Sequence, residues 1–325
     1  MSKKLKIAVL MGGPSAEREI SLITGQAVCD NLDRKKYQVL PLEYGRDFKF
    51  YWLKGQKRFL ADLYDIKKKT DIVFNALHGT YGEDGGVQGM FEASGIKYTG
   101  SKVLSSALCM NKAMTGRMYY ACGLPHPPFL DFKEAGWKNN RNQIVELVKK
   151  NLKYPAVLKP VEQGSAVGVH IVKNEAELTR QINQTIKEFG WMMVQKYIKG
   201  EEATVGVLEI KNIITPLPPT HIKANLGKFY DYKSKYAPGG STHICPADFA
   251  PKINQQMQSY AIQAHQLLGC HAMSRTDFFV QPDDQMWLIE TNTIPGMTST
   301  SLLPEAAGKM GISFSQMLDV IIEAS

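Results

Sequence analysis

The sequence has few cysteines and no long apolar run, and both shortages exclude classes of protein. Its five cysteines are odd in number and widely spaced, and no two form the CxxC pair that begins a zinc site or a redox dithiol. No stretch approaches the roughly 18 to 20 consecutive apolar residues that a membrane-spanning helix requires. We therefore expect a cytoplasmic protein with reduced thiols and no membrane partner. The five are Cys29, Cys109, Cys122, Cys245 and Cys270.

The common nucleotide-binding and hydrolase motifs are also missing. There is no GxxxxGK[ST], no GxGxxG after a strand, no HExxH and no GxSxG. P-loop, dinucleotide-binding, zinc-protease and α/β-hydrolase interpretations therefore lose their main support. Residues 1–13 begin with lysines and apolar residues, as a secretion signal does, but the apolar part is short and meets glycines at once. We expect it to form a buried first strand.

Charge and composition leave the class of ligand open. The 325 residues are 44% apolar and 22% charged, as in an ordinary globular chain of two or three domains. Lysine and arginine exceed aspartate and glutamate by 39 to 31, which gives a net charge of +8. This excess suits any anionic ligand, nucleic acid included, although much of it lies in short tracts typical of solvated surface. A nucleic-acid-binding module is therefore one alternative to an enzyme.

The distribution of apolar residues predicts two kinds of architecture. The first hundred residues alternate β-branched runs with helical ones, which is typical of a parallel sheet covered by helices. Two of the predicted strands end in glycine-rich turns, where an open α/β sheet presents its ligand-binding edge. After the breaker stretch 123–128 the pattern changes to short strands and hairpins. We expect an α/β region followed by α+β regions.

The most informative segment is a predicted hairpin with polar residues on one face. Arg275 and Asp277 lie two apart on its first strand, and Glu290 and Asn292 lie two apart on its second. Because side chains alternate across a strand, each pair shares a face, and the hairpin brings the pairs together. Two carboxylates and a carboxamide supply the hard oxygen ligands that Mg²⁺ prefers. The alternative is a surface hairpin whose charges face water, but the second strand runs into Pro295, as a loop entry would.

Carboxylate-held Mg²⁺ suggests phosphoryl chemistry, and lysines are available to meet the phosphates. Lys159 interrupts an apolar strand, where an unpaired ammonium would be costly without an anion to meet. The small-residue stretch 163–168 offers backbone N–H groups that could close over a triphosphate. A nucleic-acid module gives the hairpin carboxylates no role, because they would repel phosphate, and we expect no nucleic-acid partner.

Four blocks of the sequence resemble the signature blocks of the D-alanyl-D-alanine ligases. They occur in the family's order and span nearly the whole chain. The blocks are Gly12-Gly-Pro-Ser-Ala-Glu-Arg-Glu-Ile-Ser21, His78-Gly-Thr-Tyr-Gly-Glu-Asp-Gly85 with Gln88-Gly89, Glu162-Gln-Gly-Ser-Ala-Val-Gly168, and Glu290-Thr-Asn-Thr-Ile-Pro-Gly-Met-Thr298 with Ser301-Leu302.

The resemblance implies an ATP-grasp fold and a ligase reaction. A Rossmann-like N-terminal domain (1–100) would precede two α+β domains (101–197 and 198–325) that clamp ATP. Two D-alanines and ATP would give the dipeptide, ADP and phosphate through an acyl phosphate, as a cytoplasmic step of peptidoglycan synthesis. The family also implies a homodimer. Another ATP-grasp carboxylate-amine ligase, of the D-Ala-D-Lac or D-Ala-D-Ser type, is the alternative enzyme.

The resemblance also implies a role for individual residues. Two Mg²⁺ (or Mn²⁺) ions would be held by Asp277, Glu290 and Asn292. Phosphates would be met by Lys112, Lys159 and Lys235, and the tetrahedral oxyanion by Arg275 and Gly296. The first D-alanine would be bound by Glu17 and His78, with Ser165 and Tyr236 hydrogen-bonded to that glutamate and closing the site. The second carboxylate would be bound by Ser301 and Leu302. Adenine would lie by Phe229, Gln195, Lys196, Tyr197 and Ile198, with Glu202 on the ribose.

Two departures and one alternative qualify this transfer of roles. Gln195 stands where family members commonly have glutamate, so its contact with adenine carries no charge. Ala166 stands where a second serine is frequent. Glu17 could instead be a carboxylate that interacts with the dipole of the helix it precedes, an interaction of about 0.3 to 1 kcal/mol. Tyr236 favours D-alanine over D-lactate as second substrate, on the family's pattern.

Overall fold

The computed structural model describes residues 4–224, 240–298 and 300–325, which form three sheets with helices packed around them. Three of the residues singled out above, Phe229, Lys235 and Tyr236, lie outside the described residues. Along the described part of the chain, no helix is long and apolar enough to cross a membrane.

The N-terminal sheet contains both parallel and antiparallel strands. Its elements are β1 (Leu5–Gly12), α1 (Arg18–Asn31), β2 (Tyr37–Tyr44), β3 (Phe50–Lys54), β4 (Lys57–Ala61), α2 (Leu63–Lys69), β5 (Ile72–Asn75) and α3 (Gly86–Ser94). The strand order is β4-β3-β2-β1-β5. β1 runs parallel to β2 and β5, as predicted. β3 and β4, which the sequence pattern did not predict, extend the sheet at one edge as an antiparallel hairpin.

The central sheet is antiparallel and is covered by two helices. After α4 (Val103–Met110) and α5 (Lys112–Ala121), its elements are β6 (Phe129–Lys133), α6 (Glu134–Leu147) with a π-helical turn at 148–152, β7 (Ala156–Pro160), β8 (His170–Val172), α7 (Glu175–Phe189) and β9 (Trp191–Lys196). The order is β6-β9-β7-β8. Asn174 is the N-cap of α7, since its side-chain oxygen accepts a hydrogen bond from the Glu177 N–H at 2.9 Å.

The third sheet carries the predicted polar hairpin. Its elements are β10 (Glu201–Ile210), β11 (Ile213–Pro216), β12 (Thr220–Ala224), β13 (Ser241–Ile244), α8 (Pro251–Leu267), β14 (Met273–Val280) and β15 (Met286–Asn292). The order is β13-β12-β10-β14-β15, with β11 paired to β10. The predicted turn between β14 and β15 is confirmed, because the Gln281 N–H donates to the Gln285 carbonyl at 2.8 Å.

The last two helices join the C-terminal part of the chain to the first sheet. They are α9 (Leu302–Lys309) and α10 (Phe314–Glu323), and α10 begins with a capping box formed by Ser313 and Gln316. Leu318 and Ile321 of α10 belong to the same buried cluster as Ile7 and Val9 of β1. The core of the N-terminal sheet is therefore completed by residues about 300 positions away.

The shared core gives a test of this packing. Leu318 is fully buried, so Leu318→Ala removes apolar contacts on both sides of the interface between α10 and β1. We expect the free energy of unfolding to fall by about 2 to 5 kcal/mol, measured by urea denaturation. The control is Ile213→Ala at a side chain that is 67% exposed, which should change stability little. Equal stability of both variants would contradict the packing described here.

Candidate active site

Two cavities meet in the space between the three sheets. The larger has a volume of about 1040 Å³ and is lined from the N-terminal and C-terminal parts of the chain. The smaller has a volume of about 190 Å³ and lies between the central and third sheets. Lys112, Gly164, Ser165 and Glu290 line both cavities. Ligands bound in the two cavities would therefore come into contact beside these four residues.

The β14–β15 hairpin brings the predicted polar residues together at this junction. Asp277 pairs across the strands with Glu290, and Arg275 pairs with Asn292, as the alternation of side chains predicts. The register shifts directly after Asp277, because Phe278 pairs with Leu288. Such an irregularity redirects side chains at the end of a strand. The Arg275 guanidinium donates to both Asp277 oxygens, from Nε at 2.8 Å and from a terminal nitrogen at 2.9 Å.

The donors at this position fit a hard divalent cation. Asp277 and Glu290 each keep about a quarter of the side chain exposed to the cavities, at 23% and 24%. The Asn292 Nδ2 lies 3.4 Å from Asp277 Oδ2, so the amide is adjacent to the carboxylate. Among the described residues no three His, Cys, Asp or Glu side chains are placed to hold a metal, so the set consists of two carboxylates and an amide. Such oxygen donors suit Mg²⁺, which usually keeps other positions for phosphate or water.

Two of the three predicted phosphate-binding lysines lie beside this hairpin. Lys112 Nζ lies 3.2 Å from Glu290 Oε2 and donates to the Gln163 carbonyl at 2.7 Å. Lys159 is buried on β7, as predicted, and donates to Gln195 Oε1 at 2.9 Å. Burial and the nearby Lys112 charge lower the pKa of Lys159 to about 8. An anion bound here would gain two cations that already face the cavities.

The segment predicted to meet adenine lines the smaller cavity. Gln195 is buried at the end of β9, Lys196 is exposed, and Ile198 is 7% exposed. Tyr197 and Glu202 line the same cavity. The structure thus brings five of the six predicted nucleoside contacts to one wall, and the sixth, Phe229, is outside the described residues.

At the amino-acid end, Glu17 points across the larger cavity to the 163–168 segment. The Ser165 hydroxyl donates to a Glu17 carboxylate oxygen, so residues 148 positions apart meet here. In the described structure the Glu17 side chain makes no capping hydrogen bond to α1 and is instead hydrogen-bonded to Ser165. Gly79 has φ +73, and a Cβ on it would lie 2.7 Å from Glu17 Oε2. Glycine is required there for Glu17 to lie against the 78–85 loop.

His78 is present in this subsite as a neutral imidazole. It is buried, and its Nε2 lies 2.9 Å from the Thr24 hydroxyl. Burial and the Arg275 charge lower the pKa of His78 to about 4. At neutral pH the ring therefore carries no charge and can act as a hydrogen-bonding wall.

The larger cavity is also lined by Gly296, Ser301 and Leu302. Ser301 Oγ accepts a hydrogen bond from the Thr298 N–H at 3.0 Å. A Cβ on Gly296 would lie 2.9 Å from Ser301 Oγ, so a larger residue would displace the serine. The structure thus brings these three predicted residues to one wall of the cavity that Glu17 and His78 also line.

Sequence reasoning missed Glu83, which lies in the larger cavity beside Glu17. Its carboxylate accepts the Gly79 N–H at 2.6 Å. Burial and the Glu17 charge raise the pKa of Glu83 to about 8. Glu83 is part of the 78–85 block, but nothing in its local sequence signals that this carboxylate is partly buried beside Glu17. A carboxyl group held largely protonated near another carboxylate is typical of functional sites.

Two family models together match most of the chain. A family model described as "D-ala D-ala ligase C-terminus" matches residues 118–323, and one described as "D-ala D-ala ligase N-terminus" matches residues 6–65 and 61–101. The chain belongs to the D-alanine–D-alanine ligase family. The resemblance found in the four sequence blocks is thereby confirmed, together with the α/β and α+β ATP-grasp architecture of the D-Ala ligases.

Individual relatives of this ligase family cover almost the whole chain. The D-alanine–D-alanine ligase of Syntrophobacter fumaroxidans is 41% identical, over 99% of this chain and 98% of its own. That of Moorella thermoacetica is 40% identical, over 98% of both chains.

Solved structures extend the likeness to three dimensions. The VanG D-Ala:D-Ser ligase of Enterococcus faecalis has a TM-score of 0.88 at 32% identity and covers 99% of both chains. The D-alanine–D-alanine ligase of Bacillus anthracis, solved in complex with ATP, has a TM-score of 0.79 at 30% identity and covers 98% of this chain and 97% of its own.

The raised pKa of the partly buried Glu83 carboxyl predicts a pH dependence of the protein's stability. Its folded-state pKa of about 8 lies above the ordinary value of 4.5, so protonation is easier in the folded protein. The contribution to stability is full below pH 4.5 and is lost as pH rises toward 8. We expect Glu83→Gln to unfold at higher urea concentration than wild type at pH 8, with the difference shrinking toward pH 5.

Urea titrations at pH 5, 6, 7 and 8 would measure this difference. Glu146→Gln serves as the control, because that side chain is 69% exposed on α6. If the urea midpoints of Glu83→Gln and wild type differed by the same amount at all four pH values, Glu83 would have an ordinary carboxyl pKa.

Proposed function

We propose that this chain joins two D-alanine molecules in a reaction that converts ATP to ADP and phosphate and supplies a precursor of peptidoglycan. The observation that carries the proposal is the junction of the two cavities, where Lys112 and Glu290 face both sides. A phosphate donor in one cavity and an amino acid in the other would meet there. Relatives about 40% identical to this chain are D-alanine–D-alanine ligases.

ATP would occupy the smaller cavity with its phosphates directed at the junction. The base would lie along Gln195, Lys196, Tyr197, Ile198 and Phe229, with Glu202 at the ribose, and the phosphates would meet Lys112, Lys159 and Lys235. The support is the position of the described members of this set on one cavity wall, together with a B. anthracis relative solved in complex with ATP.

Asp277, Glu290 and Asn292 would hold two Mg²⁺ or Mn²⁺ ions. When bound, such ions neutralise the charge of the phosphates. The chain's own contribution is to place these oxygen donors in register on β14 and β15 and to balance them with the Arg275 and Lys112 cations.

The two D-alanines would occupy the larger cavity in sequence. Glu17 would bind the ammonium of the first, beside the neutral His78, while Ser165 and Tyr236 hold Glu17 and close the site. A carboxylate oxygen of the first D-alanine attacks the γ-phosphorus, the bond to ADP breaks, and an acyl phosphate forms. Closure keeps water from hydrolysing this intermediate.

The second D-alanine would be held through its carboxylate at Ser301 and Leu302. Its neutral amine attacks the acyl carbon, the carbon–oxygen bond to phosphate breaks as the peptide bond forms, and the departing phosphate takes the proton that the nitrogen loses. The Arg275 guanidinium and the Gly296 N–H would stabilise the oxyanion of the tetrahedral intermediate. Arginine suits this position because it stays charged at any working pH and donates through a fork.

A second candidate reaction uses D-serine in place of the second D-alanine. The D-Ala:D-Ser ligase of E. faecalis superimposes on this chain with a TM-score of 0.88. The two reactions share the ATP, metal and first-substrate sites and differ in the subsite at Ser301 and Leu302. D-Lactate as second substrate would replace the amine by a hydroxyl at the same position.

Three further features belong to the same proposal. The segments 1–100, 101–197 and 198–325 would form three domains, since each contains one of the three sheets. The protein would act as a homodimer in the cytoplasm. The five cysteines are free thiols in the structure, which suits that compartment.

The decisive assay is phosphate release from ATP and Mg²⁺ against a panel of D- and L-amino acids, with D-lactate included. We expect release with D-alanine alone, and a mixed product with D-serine only if the second subsite accepts it. The proposal would be overturned if phosphate release did not depend on D-alanine, or if it required a different carboxylate substrate. Salt-dependent DNA binding without such release would favour the nucleic-acid alternative.

Glu290→Gln tests the assigned metal site. The variant keeps the size of the side chain but removes a charge at the junction, so we expect turnover to fall at least about 100-fold. The thermal melting temperature should change little, because the side chain is partly exposed and lies outside the apolar core. Glu188→Gln on the exposed face of α7 is the control. If Glu290→Gln turned over as fast as wild type, Glu290 would not be a metal ligand.

A further inference from the structure

A buried histidine lies behind the smaller cavity, and nothing in the proposed function yet uses it. His126 is 2% exposed and precedes β6. Its Nε2 lies 3.0 Å from Gln195 Nε2, and its Nδ1 lies 2.8 Å from the Leu288 carbonyl oxygen on β15. It therefore joins the strand that carries Gln195 to the strand that carries Glu290.

The donor and acceptor of each hydrogen bond in this series of contacts can be deduced from Lys159. A lysine ammonium has donors only, so the atom of Gln195 that faces it must be the oxygen. The Gln195 amide nitrogen then faces His126 and donates to Nε2. His126 must accept at Nε2 and carry its proton on Nδ1, which donates to the Leu288 carbonyl.

The environment of the ring keeps it neutral and in place. Burial and the Lys159 charge lower the pKa of His126 to about 3. The rings of Tyr119, Tyr120 and Phe129 surround it, with centroids 5.6, 5.8 and 5.5 Å away. A Cβ on Gly116 would lie 2.8 Å from His126 Nε2, so glycine at that helical position makes room for the ring.

The backbone beside His126 fixes its position relative to β15. The Leu288 N–H donates to the Pro125 carbonyl at 2.8 Å, while its carbonyl accepts from His126. Residues 125 and 126 are thus bound to Leu288 through both of its backbone groups. The imidazole has little freedom to follow Gln195 if the amide turns.

We propose that His126 is a positioning residue that holds the Gln195 amide with its oxygen toward Lys159 and the cavity, and thereby sets a preference for adenine over guanine. The inference rests on the proposed function in placing a nucleobase beside Gln195. Adenine presents an amino donor at its 6-position, which an outward oxygen accepts. Guanine presents a carbonyl there, which the same oxygen repels. A glutamate at position 195 would be held in place by its ion pair with Lys159. The neutral Gln195 lacks that ion pair, and His126 Nε2 supplies a second hydrogen bond that fixes its amide.

Two substitutions separate the two nitrogens of His126. In His126→Gln the longer side chain can present an oxygen acceptor near the position of Nε2. In His126→Asn the shorter amide reaches the position of Nδ1 and leaves the Gln195 nitrogen without its acceptor. Dissociation constants for ATP and GTP, with Mg²⁺, would be measured by calorimetry, which requires no ligase turnover.

We expect His126→Asn to reduce the preference for ATP over GTP roughly tenfold, by loss of one oriented hydrogen bond. His126→Gln should keep the preference within about threefold of wild type. In steady-state assays the loss should appear in KM for ATP while kcat at saturating ATP stays within about twofold. His271→Asn, at a partly exposed histidine paired with Glu209, is the control. An unchanged ATP preference in His126→Asn would overturn the proposal.

Nitrogen-15 NMR of the histidines reports which ring nitrogen of His126 carries a proton, a property that a purely structural role for the side chain would not determine. Wild-type His126 should be neutral with its proton on Nδ1. In Gln195→Glu a carboxylate oxygen faces His126 Nε2. We therefore expect Nε2 to gain a proton and the ring to become doubly protonated. A proton on Nε2 in the wild type would overturn the proposal even if a variant fails to fold. Absence of D-alanine-dependent phosphate release, with the nucleotide preference intact, would instead count against the proposed function alone.

Discussion

The antiparallel register between β14 and β15 is the constraint on which the rest of the site depends. It sets Asp277 opposite Glu290 at the junction of two cavities and brings Arg275 and Asn292 to the same end of the hairpin. A shift of one residue would send these side chains to the other face of the sheet, where they would meet the apolar core. Lys112 Nζ lies 3.2 Å from Glu290 Oε2, and the charges of Lys112 and Glu290 both act on the buried Lys159.

The electrostatics of the site combine fixed charges with groups that burial keeps neutral. Arg275, Lys112 and Lys159 face the carboxylates at the junction, while His78 and His126 are held uncharged by burial and by those same cations. The pKa of Glu83 is shifted the other way, toward the protonated form, by desolvation and by the nearby Glu17 charge. Such opposed shifts within one cleft favour a site built to bind anions and to stabilise charge that develops during reaction.

Much of the fold and of the site could be predicted from local patterns. The polar hairpin, the capping residues of α7 and α10, and the buried lysine on β7 follow from alternation and propensity within a few residues. The parallel pairing of β1 with β2 and β5 also follows from the alternation of strands and helices. The β3–β4 hairpin was missed, although an aromatic run before Gly55 offered a signal, because a pattern of parallel strands does not show which edge an extra hairpin will extend.

The remaining features depend on contacts between distant segments. The raised pKa of Glu83 depends on desolvation and on the charge of Glu17. The hydrogen-bond direction at Gln195 depends on Lys159 and His126, from two other parts of the chain. The packing of α10 on β1 joins the two ends of the described chain. No local pattern encodes these contacts, because each arises only when three sheets assemble around one cleft.

The most direct test of the central claim is a crystal structure with Mn²⁺ and a non-hydrolysable ATP analogue, in which anomalous scattering locates the metal. The account predicts metal peaks about 2.0 to 2.2 Å from oxygens of Asp277, Glu290 and Asn292, with phosphates between the hairpin and the lysines. Metal bound elsewhere, or Asp277 and Glu290 turned away from a nucleotide that lies outside the smaller cavity, would contradict it.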